Sequence, residues 1–133
     1  LMMATFSIQN DDGTPAGEVW LKDPFNGPAM ENPEVARKLR PIAVENSRSW
    51  LVNPFFHLPL FPLAIQRLPE IHVPTLLIVG ERDLPDIHKI AQMLETSVAG
   101  TKKVSIAGAG HMVNVEKPKE FNKALLEFIA KVK

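Results

Sequence analysis

The sequence predicts an α/β fold. Two short parallel strands alternate with two helices over residues 68–133, preceded by a mostly helical segment over residues 1–67. Three observations carry this reading. The run Thr75-Leu76-Leu77-Ile78-Val79 is apolar throughout and stops at Gly80, the pattern of a strand covered on both faces. Ile87, Ile90, Ala91, Leu94 and Val98 fall at offsets 0, 3, 4, 7 and 11, one stripe of a helix. A second strand-like run, Lys103-Val104-Ser105-Ile106-Ala107, is followed by Phe121, Ala124, Leu125, Phe128, Ile129 and Val132 on one helical face. Short connections in the order strand, helix, strand, helix imply parallel strands and right-handed crossovers.

The elements follow in order. Met3, Phe6 and Ile8 suit one side of a short helix, ended by the turn signal Asn10-Asp11-Asp12-Gly13. Thr14-Pro15 reads as a cap with proline at the first helical position, leading to the apolar patch Val19-Trp20-Leu21. Asp23-Pro24-Phe25-Asn26-Gly27-Pro28 reads as a loop. Asn32-Pro33-Glu34 combines a cap, a proline and an acid, a strong helix start. Pro41 is expected to kink or end that helix, with a second stretch over Ala43–Val52 stopped by Asn53-Pro54. Phe55 to Leu63 mixes large apolar residues with prolines and has no clean period, so it is no interior strand. It reads as packed on its own core or as a lid over an apolar pocket. Pro85-Asp86 starts the first helix of the α/β part, Gly100 suits its end, and Lys117-Pro118-Lys119-Glu120 starts the last.

Composition excludes several function classes. The 133 residues suffice for one modest core. Net charge is zero, so no electrostatic footprint for nucleic acid or an anionic membrane exists. With no cysteine, thiolate catalysis and Cys-ligated zinc are out, and a reducing, cytoplasmic setting is expected. The most apolar stretch, Leu51 to Ile65, is too short and proline-broken to span a bilayer. No leader pattern is visible. The first residue is Leu rather than Met, so a trimmed or excised piece is expected.

The chemistry lies in two loops. Gly80-Glu81-Arg82-Asp83 leaves the first strand, and Gly108-Ala109-Gly110-His111-Met112-Val113 follows the second, with Asp83 and His111 separated by 28 positions. In parallel sheets sites gather at the carboxyl ends of strands, so neighbouring strands bring these loops together. A buried carboxylate holding one ring nitrogen leaves the other to act as base. Asp83 has a competing reading as a helix cap, and Asp86 is the alternative acid, better read as a first-turn charge. His88 reads as solvated on its helix, and His57 and His72 as structural. A metal site of Asp83, Asp86 and His88 is disfavoured because the three need not converge. Glu116 either orients the histidine loop or caps the last helix, with the cap preferred. Trp20, Phe55, Phe56, Leu58 and Phe61, with Met112 beside His111, are candidates for lining a substrate pocket; core or lid packing is the rival reading.

Pro74 to Asp83 resembles the acid-bearing strand and loop of the α/β-hydrolase fold, and Ala107 to Pro118 resembles its histidine loop. The closing helix from Phe121 to Ile129 is also similar, and residues 14–67 resemble the helical cap more loosely. The nearest flavour is the proline iminopeptidase-like and enol-lactonase-like group. The resemblance implies Asp83 as triad acid, His111 as base, no cofactor or metal, and a small ester, lactone or peptide substrate. The family's Gly-x-Ser-x-Gly is missing: Ser7, Ser47, Ser49, Ser97 and Ser105 all lack the flanking glycines. The chain therefore reads as a C-terminal hydrolase segment whose nucleophile, and oxyanion loop, come from a missing N-terminal half. Two alternatives stand beside it: a non-catalytic truncated module that pairs with a second copy through its open sheet edge and apolar face, and an aspartate-nucleophile, dehalogenase-like relative.

Overall fold

The computed structural model describes the backbone of residues 14–52 and 61–132, and side chains over 16–46 and 61–132. The expected helix around Met3, Phe6 and Ile8 lies outside the described residues. Two compact units divide the chain, Leu1–Leu58 and Pro59–Lys133.

The first unit is helical. Helix α1 spans Thr14–Leu21, a 3₁₀ turn Pro24–Asn26, α2 Gly27–Met30 and α3 Pro33–Val52. Buried Ala16, Leu21, Ala29, Val35, Leu39 and Ala43 form its core. Helix α1 meets α3 closely because Gly17 has no side chain; a Cβ there would lie 3.0 Å from the Ala43 carbonyl carbon. Residues 23–28, expected as a loop, instead form two short helical turns. Asp23 accepts the Phe25 N–H at 3.0 Å, and Pro24 and Pro28 supply preset φ angles where no N–H is needed. Asn26 is fully buried and donates from Nδ2 to the Trp20 carbonyl at 2.7 Å.

The start of α3 is as expected. Asn32 Oδ1 accepts from the N–H groups of Glu34 at 3.0 Å and Val35 at 3.5 Å. Asn32→Ala is expected to cost about 1 kcal/mol through this cap, read as a lower midpoint in urea unfolding followed by helical circular dichroism. Pro41 does not divide the helix: Pro33–Val52 is continuous, with Pro41 inside it. Pro41 and Arg37 both face solvent. The Arg37 carbonyl, which loses its usual donor at Pro41, is therefore open to water rather than stranded in the core. The buried stripe Val35, Leu39, Ala43 runs past Pro41 on the other side.

The second unit begins with a 3₁₀ segment, Ala64–Glu70. Then come β1 Leu76–Gly80, α4 Pro85–Ser97, β2 Lys102–Ile106, α5 Val113–Glu116 and α6 Pro118–Ile129. The strands are parallel neighbours in the register Leu76↔Lys102 to Gly80↔Ile106. Gly100, at φ +75°, makes the turn from α4 to β2. Ile106, Ala109 and Val113 form the buried core, with Ile78, Val104 and Phe121 packed on it.

Two expectations change. Strand β1 was expected to be covered on both faces, yet Leu76 to Val79 are only half-buried. The sheet among the described residues has two strands, so each keeps an open edge and thin cover. The single turn α5 was not anticipated; it begins right after the histidine loop. On α6, Lys123 and Glu127 pair at 2.6 Å. The hydrogen bond from Lys123 holds the Glu127 carboxyl below the usual carboxylate range. That stabilisation is present above the unfolded carboxylate pKa and fades as pH falls through the lowered value.

Candidate functional site

Matched strand ends build the site. Gly80 and Ile106 are register partners, so both strands finish at one level. Asp83 lies three positions past β1 and His111 five past β2. Their side chains meet, with His111 Nδ1 at 2.8 Å from Asp83 Oδ2. The Asp83 side chain is 3% exposed and that of His111 30%. The acid is thus shielded and the ring half-open, which suits a carboxylate that orients and a base that works. Asp83 Oδ1 accepts the Leu84 N–H at 2.8 Å. Asp83 does not cap α4, whose N-cap is Leu84 with no side-chain cap bond; one of its oxygens holds the Leu84 N–H and the other faces His111.

Backbone contacts lock the two loops together. The Glu81 N–H donates to the Ile106 carbonyl at 3.0 Å and the Arg82 N–H to the Ala109 carbonyl at 2.8 Å. Glu81 returns a carboxylate oxygen to the Gly108 N–H at 2.8 Å. Gly108 takes φ +68°, a left-handed turn that glycine enters without strain. Gly80 is needed for a different reason. A Cβ there would fall on the Gly110 carbonyl oxygen and lie 2.5 Å from that of Ala109. The end of β1 thus lies directly against the histidine loop.

Glu116 does not cap α6. Its Oε2 accepts the Gly110 N–H at 2.8 Å and its Oε1 the Met112 N–H at 3.0 Å, so it braces the histidine loop. Lys117 occupies the cap position of α6 with no side-chain hydrogen bond. The sequence admits this role for Glu116 but favours the cap, and it does not point to Glu81. The available signal was position alone, since Glu81 precedes Asp83 by two residues.

Other candidates scatter. Asp86 pairs with Lys89 at 3.0 Å on the exposed face of α4. His88 is half-buried rather than solvated, and His72 is exposed rather than structural. Among the described residues no three His, Cys, Asp or Glu side chains are placed to hold a metal ion. Trp20 is half-buried in the first unit, Met112 is half-buried beside His111, and Phe61 is 80% exposed. Phe55, Phe56, Leu58 and His57 lie outside the described residues. No described helix is long and apolar enough to cross a membrane.

No family model matches the chain. A curated protein, ABHD14A of Danio rerio, is 37% identical over 70 residues, 50% of this chain and 24% of that protein. Three solved structures are similar. MenH from S. aureus gives a TM-score of 0.69 at 26% identity, over 87% of this chain and 44% of that one. A hydrolase from Pseudomonas aeruginosa PA01 gives 0.73 at 26% identity, over 96% and 48%. Est816, described as an N-acyl homoserine lactone degrading enzyme, gives 0.66 at 25% identity, over 94% and 50%. The chain spans half or less of each of these proteins.

Proposed function

We propose that this chain, which belongs to the α/β-hydrolase fold superfamily, carries the acid and base of a serine-type triad for hydrolysis of a carboxylic ester, lactone or peptide bond. The observation that carries the proposal is the 2.8 Å contact of a buried Asp83 with a half-exposed His111 at the carboxyl ends of two parallel strands. Asp83 holds the proton on Nδ1. Nε2 of His111 then takes the proton of a serine hydroxyl as that oxygen attacks the carbonyl carbon. Asp83 stabilises the resulting imidazolium. His111 returns the proton to the leaving group, leaving an acyl-enzyme, and activates water to release the acid.

Gly-x-Ser-x-Gly occurs nowhere in the 133 residues, so the serine is supplied by a segment beyond them. The helical unit corresponds to the cap segment of the family. Its support is the alignment of the solved neighbours over 87–96% of this chain. The lactone class draws support from the described activity of Est816. A cytoplasmic setting accords with the absence of cysteine.

The test joins this chain to a hydrolase N-terminal half bearing the serine turn and assays short p-nitrophenyl esters. Hydrolysis that disappears with His111→Ala supports the proposal; full activity in that variant sinks it. A second reading, assembly without catalysis, draws on the half-buried β1 and on Leu126, 64% exposed on α6. It predicts self-association in sedimentation, and a strict monomer at high concentration opposes it.

A further inference from the structure

We infer that Glu116 is a positioning residue for His111: one carboxylate closes the span from Gly110 to Met112 and thereby holds the imidazole on Asp83. The inference rests on the reading of His111 as the base.

The two bonds bracket the histidine. Oε2 takes the Gly110 N–H and Oε1 takes the Met112 N–H, the residues on either side of His111. The peptide planes before Gly110 and after His111 are therefore tied to the same group, and the torsions between them have little room. Gly110 is also held from its carbonyl side, where Gly80 leaves just enough space for it. The Cα–Cβ vector of His111 is set from both ends, and with it the reach of Nδ1 to Asp83 Oδ2.

A plain cap of α5 would explain only half of this. Met112 is the residue that precedes α5, so the Oε1 bond alone is a capping bond. The other oxygen reaches back past His111 to a buried residue outside that helix. The residue type fits as well. An ionised carboxylate is acceptor-only on both oxygens, whereas glutamine must turn a donor toward one of the two N–H groups.

The test reads the histidine ring of the chain itself by 15N–1H correlation above the pH of imidazole titration. In the unsubstituted chain His111 is expected as a single neutral tautomer, protonated on Nδ1. In Glu116→Gln that single pattern is expected to be lost, both ring nitrogens moving toward averaged shifts, while the Ile78 and Val104 amides stay in place. In the serine-bearing fusion the same variant is expected to lose about 10- to 100-fold in kcat with KM unchanged, the scale of a small misplacement of a catalytic group. An unchanged tautomer in Glu116→Gln, with only the Gly110 and Met112 amides displaced, overturns the inference and leaves Glu116 as a cap of α5. Should Glu116→Gln unfold the chain, Glu116→Asp decides instead, since it keeps both acceptors on a shorter arm and is expected to mix the tautomers. A mixed tautomer already present without substitution would sink the triad reading, not this inference alone.

Discussion

Asp83→Asn is expected to cut ester hydrolysis by the serine-bearing fusion about 10⁴-fold, with the fold intact. The local geometry sets the direction of the effect. Asp83 Oδ1 already accepts the Leu84 N–H at 2.8 Å. An asparagine keeps its carbonyl oxygen on that donor and so turns its NH₂ toward His111. Nδ1 must then accept rather than donate, the ring proton moves to Nε2, and the nitrogen facing the serine is no longer a base. His111→Ala removes the base itself and is expected to cost on the order of 10⁶-fold. Both are read as kcat/KM on p-nitrophenyl acetate. A loss below about tenfold in Asp83→Asn would mean that the 2.8 Å contact is structural only.

Gly80→Ala is expected to be more damaging than a substitution at Gly100 or Gly108, where a Cβ meets nothing within 4 Å, and to lower stability by about 1–3 kcal/mol or more. Its backbone tolerates a side chain; the obstacle is space. The new Cβ would meet the Gly110 carbonyl oxygen and the Ala109 carbonyl, both main-chain groups that cannot rotate away. Relief requires pushing the histidine loop off β1. That strains the Arg82 to Ala109 bond and the two bonds to Glu116 together. Urea unfolding should show the lower midpoint, and the His111 ring signals should shift even where the chain stays folded. A midpoint unchanged within error would mean that the loop yields without cost.

The α/β order was legible because its signals are local. An unbroken apolar run ending at Gly80 and a five-residue helical stripe name their elements without reference to anything distant. Asp83 and His111 were legible because parallel pairing converts a separation of 28 positions into adjacency. Other features depend on what a residue faces. Pro41 costs a helix less where the carbonyl it leaves without a donor can reach water, and here it lies on an exposed face of a continuous helix. The turns at residues 23–28 depend on the Asp23 side chain accepting the Phe25 N–H two residues on. Glu116 contacts main-chain N–H groups, which carry no residue identity and leave no pattern to read. The cover expected over β1 reflects its composition, whereas its actual exposure reflects which strands lie beside it.

The most direct measurement is the proton on Nδ1 of His111, observed by NMR in the unsubstituted chain and in Asp83→Ala. The account predicts a downfield, slowly exchanging Nδ1 proton that is bonded to a carboxylate and disappears when Asp83 is removed. A neutral ring protonated on Nε2, or an Nδ1 signal indifferent to Asp83, would contradict it.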